Sequence, residues 1–168
     1  YIWFPLGSER DGVGFGCQCW LRTDHPRMTT QPLALAPINR DLSAEAKVQI
    51  YRDLIRCRAF ESHALERYQA GHMGGFLMLQ MGQEGIAVGV RSVMGPLDHS
   101  LSGMRGMAHA LAAGAPMREM MAELFGRSTG IAKGKAGMLG FYSPEHQFWG
   151  NHGFAGTQTA LAIGLAFG

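Results

Sequence analysis

Charge and long apolar runs are both scarce in this sequence. Only 17% of the 168 residues are charged, and 15 basic against 13 acidic side chains leave a net charge of +2. This balance provides no electrostatic basis for binding nucleic acid or an anionic membrane surface. No apolar run approaches the ~18 residues that a membrane span needs. We therefore expect neither a nucleic acid nor a membrane as a partner.

Cysteine is scarce as well, and its spacing excludes two classes of small protein. Cys17 and Cys19 form a lone C-x-C pair, and Cys57 falls within a helical pattern. Three cysteines so arranged form neither a disulfide framework nor a zinc site. A reducing compartment is expected, namely the cytoplasm, because the sequence also lacks a signal-peptide pattern. The seven histidines form no H-E-x-x-H motif, and no metal ligand is predicted among these residues.

Two nucleotide-binding motifs are incomplete, whereas glycine and methionine are abundant. The segment GVGFGC has Cys17 where a dinucleotide fingerprint needs glycine, and TGIAKGKA has Ala136 where a phosphate loop needs Ser or Thr. The chain contains 24 glycines and 11 methionines. Glycine is present at about twice its usual share of roughly 7%, which indicates closely packed backbone and binding loops.

The pattern along the chain divides it near residue 41. Residues 1–40 show no sustained period and are predicted to be irregular or disordered. Met28 is a candidate start, in which case residues 1–27 would precede the native protein. Residues 41–168 are expected to form a partial α/β domain.

Helical spacing predicts two helices in the first half of this domain. The first begins at an N-cap, Ser43, and ends at Gly71. Its apolar residues recur at helical spacing: Val48, Tyr51 and Ile55 beside Ile50, Leu54 and Cys57. The second covers about 83–94, with an apolar stripe of Ile86, Val90 and Val93.

Shorter elements follow. We predict a strand over 98–102, a helix over 107–113 closed by Gly114, and a helix over 116–125 in which Pro116 takes the first helical position. Residues 126–155 are the least regular, and a loop of this length is usually functional or disordered. After a glycine-rich turn, a helix carries small residues every four positions, at Gly156, Ala160, Gly164 and Gly168.

Three segments taken in order identify a family. GGFLMLQMGQEGIAVGV, DHSLSGMRGMAHALAAGAPMREMMAELFGRSTGIAKGKAGM and GNHGFAGTQTALAIGLAFG resemble the alpha subunit of the thiamine-diphosphate-dependent 2-oxo acid dehydrogenases. The resemblance runs from about Tyr51 to Gly168 and is strongest to pyruvate dehydrogenases, with acetoin and branched-chain enzymes as alternatives. It implies the helix-rich N-terminal part of a thiamine-diphosphate-binding domain, with an incomplete parallel sheet.

The resemblance also implies an activity and partners. The activity is oxidative decarboxylation of a 2-oxo acid, pyruvate above all, with acyl transfer to a lipoyl-bearing acyltransferase component. The partners are that component and a beta subunit, which forms an α2β2 assembly with the alpha subunit. It implies Mg²⁺ as well, held by a G-D-G motif and an asparagine that would follow residue 168. No catalytic residue is assigned within this chain.

Four residues are predicted to contact the cofactor because they match positions of the family motif. Arg105 falls where the family places an aromatic-arginine pair on the diphosphate, and Met104 occupies the aromatic position. Gly153 and Ala155 match positions whose backbone approaches the thiamine ring system. The alternatives are a surface arginine near a helix start and a glycine turn that feeds a packed helix.

Several other residues match the family pattern but have a structural explanation as well. Glu84, beside Gln83, begins a helix, where a carboxylate is favourable for structure alone. His109 is expected on a buried face, as a core or an active-site histidine. Lys133 and Lys135 match the basic start of the active-site loop or are simply solvated.

The chain departs from the family at five positions. Family members commonly have histidine at Met78, Met107 and Gly140, tyrosine at Met104 and serine at Met138. A thioether or a hydrogen atom cannot replace these donors, and loss of one acid-base group typically costs roughly 10²- to 10⁴-fold in rate. A catalytically degenerate paralogue that acts only through interactions is therefore a second hypothesis.

Overall fold

The structure is a computed structural model that describes residues 3–4 and 41–168. Within these residues the elements are β1 Trp3–Phe4, α1 Ala44–Gln69, α2 Glu84–Val93, β2 His99–Ser102, α3 Met107–Ala113, α4 Met117–Leu124, β3 Phe148–Asn151 and α5 Thr157–Phe167. Short 3-10 turns cover Gly137–Leu139 and Pro144–His146. The predicted C-x-C pair and the candidate start at Met28 lie outside the described residues.

The three strands form one small sheet with β2 in the centre. β1 pairs antiparallel with β2, and β3 pairs parallel with β2 through Ser100–Phe148 and Ser102–Asn151. Helices contain far more of the described residues than strands do, and two of the strands pair in parallel, so the predicted α/β class with an incomplete parallel sheet is confirmed. The sequence pattern does not predict β1 or β3, because neither segment alternates apolar and polar residues over enough positions.

Helix α1 begins and ends as its sequence predicts, but only part of its apolar set is buried. The Ser43 hydroxyl accepts a hydrogen bond from the Ala46 amide at 3.1 Å, and Gly71 adopts a φ of 76° after the last turn. The buried side chains lie in the second half of the helix: Cys57, Phe60, Glu61 and Ala64. Helical spacing groups apolar residues on a face, but only packing decides whether it is covered. Of the remaining predicted apolar residues, Ile50 and Leu54 are partly buried against the core, whereas Val48, Tyr51 and Ile55 are exposed.

Helix α2 buries little of its predicted apolar stripe. Ala87 and Val88 are buried, and so is the carboxyl-bearing Glu84. Ile86 and Val93, from the predicted apolar stripe, are exposed. The core accepts small residues here because α1 and α3 both pack against α2, which leaves little room for larger side chains.

The core is formed where α1, α2, α3 and α4 meet the loop that follows α4. Met107, Met120, Phe141 and Phe148 are fully buried. Helix α3 ends at Gly114 as predicted, with a φ of 116°. Helix α4 begins at Met117, so Pro116 is its N-cap rather than its first helical residue. Within the described part of the chain, no helix combines the length and hydropathy that crossing a bilayer requires.

Candidate functional site

A cavity of about 430 Å³ opens where β2, α2, α3 and α5 approach one another. The residues that line it are Gln80, Gln83, Leu101, Ser102, Gly103, Met104, Arg105, His109 and Gln158. Its polar groups are mainly amides, together with one imidazole and one permanent cation, the Arg105 guanidinium. Such a lining suits a ligand that carries negative charge.

The turn that carries Arg105 is shaped by a close contact behind it. β2 ends at Ser102 and α3 begins at Met107, with Gly106 as the N-cap. A Cβ atom at Gly106 would lie only 2.2 Å from the Cβ of Asn151. Only glycine therefore lets the turn pass over Asn151 and present Arg105 at the cavity.

Asn151, at the end of β3, holds three segments together. Its Oδ1 accepts a hydrogen bond from the Phe141 amide at 3.1 Å. Its Nδ2 donates to the carbonyl oxygens of Met138 at 2.7 Å and Met104 at 3.5 Å. One buried amide thus joins the loop after α4 to the Met104–Arg105 turn. No local sequence pattern marks Asn151, because its partners lie ten or more residues away.

A buried polar pair forms another wall of the cavity. Gln80 is buried, and its Nε2 lies 3.1 Å from the Nε2 of His109. Burial lowers the pKa of His109 to about 4, so its imidazole is neutral near pH 7. His109 is half-buried and faces the cavity, rather than lying wholly in the core.

Glu84 organises the entrance to α2 rather than offering a free acid. Its carboxylate pairs with the Arg58 guanidinium and accepts a hydrogen bond from the Gly82 amide at 2.9 Å. The hydrogen bonds from Arg58 lower the pKa of Glu84 despite its burial. These contacts support the structural role expected for Glu84, while neighbouring Gln83 lines the cavity.

The loop after α4 is ordered by one buried carboxylate. Glu123 accepts hydrogen bonds of 2.7 to 3.0 Å from four backbone amides, those of Ala132, Gly134, Ala136 and Gly137. Burial alone would raise the pKa of Glu123, but these hydrogen bonds outweigh it and lower the pKa. Lys133 and Lys135 project from this loop and are exposed, with Lys133 at a φ of 60°.

Comparison with known proteins identifies the family. A family model described as "Dehydrogenase E1 component" matches residues 52–168, which is most of the chain and begins where the predicted resemblance begins. The chain belongs to the dehydrogenase E1 component family.

Several relatives are named as alpha subunits of pyruvate dehydrogenase E1 components. The pyruvate dehydrogenase E1 component subunit alpha of Rhizobium meliloti is 40% identical over 127 residues, covering 76% of this chain and 36% of the relative. That of Zymomonas mobilis is 40% identical over 124 residues, covering 73% and 35%. The chloroplastic subunit alpha-3 of Oryza sativa is 35% identical over 126 residues, covering 75% and 30%. The chain thus spans about a third of the length of these relatives.

Two of the four predicted cofactor residues of this E1 family chain lie on the cavity. Met104 and Arg105 are both in its lining. Gly153 and Ala155 lie on the turn before α5 and, among the described residues, are not part of that lining. A Cβ at Gly153 would approach the Leu139 side chain at 3.2 Å, so close packing also accounts for glycine there. The contacts of all four with a cofactor remain predictions.

The residues at which this chain departs from the E1 family pattern are closely packed in this structure. The Met78 amide donates to the Met138 sulfur at 2.9 Å, and Met107 is fully buried. A Cβ at Gly140 would lie 1.9 Å from the Cβ of Ala136. A histidine at position 140 therefore does not fit this loop conformation.

Proposed function

We propose that this chain is part of the alpha subunit of the first component of a pyruvate dehydrogenase. The whole enzyme would be an oxidoreductase that decarboxylates pyruvate with thiamine diphosphate and passes the acyl group to a lipoyl-bearing acyltransferase component. The names of the relatives support this assignment. The structural observation that carries it is the position of Arg105 in a cavity at the family's diphosphate motif.

The residues present fit an anionic group. The Arg105 guanidinium offers several donors for phosphate oxygens. Gln158, in the first turn of α5, also lines the cavity, so the positive end of that helix lies beside the site. Met104 cannot donate a hydrogen bond, and we therefore expect weaker binding than in family members with tyrosine there.

The residues that line the cavity indicate what the protein and the cofactor would each contribute. When bound, thiamine diphosphate supplies the electron sink for decarboxylation of a 2-oxo acid. Arg105 would bind and orient the diphosphate, while the amides of Gln80 and Gln158 hold neighbouring polar groups. The part of the chain that the structure describes contains no cluster of three or more His, Cys, Asp or Glu side chains suited to a metal. Mg²⁺ remains a prediction from the family resemblance.

The proposed partners follow from the names of the relatives, each called subunit alpha of an E1 component. We propose a beta subunit that completes an α2β2 enzyme. The substrate within the 2-oxo acid class is proposed as pyruvate, with acetoin or branched-chain 2-oxo acids as alternatives.

A catalytically degenerate paralogue is the second candidate function. The specific observation in its favour is that Gly140 has no room for the family's histidine. In addition, Met78 and Met138, where the family has histidine and serine, contact each other. Such a protein would retain the interaction surfaces of the subunit without its chemistry.

Calorimetry with thiamine diphosphate and Mg²⁺ tests the binding role of Arg105. We expect a Kd weaker than micromolar for the chain alone, and a further loss of at least about tenfold in Arg105→Gln, the cost of a charge-assisted hydrogen bond. Arg118→Gln, an exposed arginine on α4, is the matched control. Equal affinities of the two variants would contradict the assignment of Arg105.

Turnover tests the activity itself. The complex captured through a tag on this chain in its own cells is assayed for carbon dioxide release from pyruvate, from a branched-chain 2-oxo acid and for acetoin cleavage. Release from pyruvate supports the first proposal. A captured complex that turns over none of the three, and binds no thiamine diphosphate, supports the degenerate paralogue.

A further inference from the structure

A chain of buried polar groups runs from the middle of α1 to the cavity. Glu61 is fully buried, and its Oε2 accepts a hydrogen bond from the Gln80 amide at 2.7 Å. The side chain of Gln80 then contacts the His109 ring nitrogen at 3.1 Å. Gln80 and His109 both line the cavity that contains Arg105, so Glu61 lies directly behind its wall.

Two oxygen atoms within this series of buried polar groups have unused hydrogen-bonding capacity. Glu61 Oε1 and Gln80 Oε1 are buried, and neither makes a hydrogen bond of good geometry within the described ranges, 3–4 and 41–168, although the Met81 backbone amide is near enough to the Glu61 carboxylate to lower its pKa. A buried polar group without a partner is costly, so two such atoms beside one cavity need an explanation. Gln80 in the wall and Glu61 behind it thus place two such oxygen atoms beside the cavity.

Burial places the ionisation of Glu61 near neutral pH. Burial raises the pKa of Glu61 to about 7, against the Gln80 hydrogen bond that lowers it, with Glu84 on α2 raising it and Arg58 on α1 lowering it. Cys57, one turn earlier on α1, is also buried and neutral, because burial raises its pKa to about 12. On α3, His109 stays neutral over the same pH range.

We propose that Gln80 is a positioning residue for the cavity: anchored by Glu61, it sets the orientation and tautomer of His109, the imidazole that faces the bound ligand. The inference rests on the proposed function, because the ligand in question is the diphosphate cofactor that Arg105 would bind. A neutral imidazole has one donor and one acceptor nitrogen, and the group that contacts one nitrogen decides which is which. Gln80 is thereby the link through which the protonation state of Glu61 reaches the cavity.

The test is nuclear magnetic resonance of ¹⁵N-labelled imidazoles in the whole chain, without ligand. Between pH 5.5 and 8.5 the His109 nitrogens should show an inflection from Glu61, although His109 itself titrates at lower pH. Glu61→Gln, which keeps a hydrogen-bond acceptor for the Gln80 amide, should abolish the inflection. Gln80→Leu should abolish it too and change the tautomer ratio. Glu66→Gln, exposed on the same helix, is the matched control and should retain the inflection, and His109→Gln assigns the signal.

The outcomes separate this inference from the proposed function. An inflection that persists in Glu61→Gln, or a wild type without one, overturns the positioning role whatever the affinity for thiamine diphosphate. If Gln80→Leu does not fold, the comparison of wild type with Glu61→Gln decides the matter alone. Calorimetry with thiamine diphosphate and Mg²⁺ then measures the consequence, an expected loss of about tenfold in Gln80→Leu. An inflection without any binding of that probe contradicts the proposed function and leaves the link from Glu61 to His109 in place.

Discussion

At the scale of single residues, the closest fit near the cavity is between Gly106 and Asn151. Because an added Cβ would lie 2.2 Å from the Asn151 side chain, Gly106→Ala should lower the free energy of unfolding by about 1 to 3 kcal/mol, a typical cost of overpacking. Gly89, in the middle of α2, has no atom within 4 Å of an added Cβ. Gly89→Ala should therefore raise stability by about 0.5 to 1 kcal/mol.

Urea unfolding of the two alanine variants measures both effects. If Gly106→Ala is as stable as wild type, the turn before α3 does not need glycine, and the Asn151 side chain packs less closely against position 106 than described. In that event the presentation of Arg105 at the cavity would need another explanation.

Glu61 gives a second prediction at this scale, in the pH dependence of stability. Its pKa is about 7 in the folded protein and near 4.5 when exposed, so the folded state binds the extra proton between these values. The contribution of Glu61 to the free energy of unfolding is therefore fully present below pH 4.5 and is lost as the pH rises through 7. Glu61→Gln does not titrate, and its advantage over wild type should grow by about 2 kcal/mol between pH 5 and pH 8, at about 1.4 kcal/mol per pKa unit.

Urea unfolding at pH 5 and pH 8 checks this prediction. Glu66→Gln, on the exposed side of the same helix, should change the free energy of unfolding little at either pH. A constant difference between wild type and Glu61→Gln would mean that Glu61 stays ionised in the folded protein despite its burial.

At the scale of elements, the loop after α4 depends on Glu123. Four backbone amides donate to one carboxylate, two of them from Ala136 and Gly137. In Glu123→Gln, a side-chain NH₂ group replaces one carboxylate oxygen, so two of these backbone amides lose their acceptor. We expect hydrogen exchange of the affected loop amides to become about 10- to 100-fold faster, since hydrogen bonds to charged groups contribute about 1.5 to 3 kcal/mol.

Hydrogen-exchange mass spectrometry over residues 126–140 measures this effect. Glu119→Gln, an exposed residue of the same helix, serves as the control and should leave exchange unchanged. Because the pKa of Glu123 is lowered, its contribution to stability is present above the ordinary carboxyl pKa and is lost as the pH falls below it. Unaltered exchange in Glu123→Gln would show that the glycines and lysines of the loop adopt this conformation without the carboxylate.

At the scale of the whole molecule, several helices leave apolar surface uncovered. Ile86 and Val93 on α2, and Leu161, Ile163 and Phe167 on α5, are exposed. Exposed apolar surface of this extent favours association. We expect the chain alone to self-associate at micromolar concentration, and Ile163→Lys to shift it toward monomer without lowering its thermal unfolding midpoint.

Analytical ultracentrifugation over a concentration series checks this expectation. Thr159→Lys, also exposed on α5, adds the same charge but removes no large apolar side chain, and should leave association nearly unchanged. An equal shift in both variants would assign the effect to charge repulsion rather than to the apolar surface.

The elements that sequence predicted well are those governed by local rules. Ser43 caps α1 because its hydroxyl reaches an amide three residues away, and Gly114 closes α3 because glycine accepts a positive φ. β3 escaped prediction because a four-residue strand gains its stability from pairing with β2. Some apolar residues of α1 and α2 are exposed although they recur at helical spacing, since that spacing does not say which face another helix covers.

The sequence by itself determined the family, the order of the helices and the position of Arg105 in the motif, because these depend on residue identity and spacing. Only the tertiary structure decided which polar groups meet. Glu61, Gln80 and His109 come from three separate segments, and Asn151 joins Met104 to Met138 across the chain. Such contacts depend on how helices and loops pack in three dimensions, and no local pattern in the sequence encodes them.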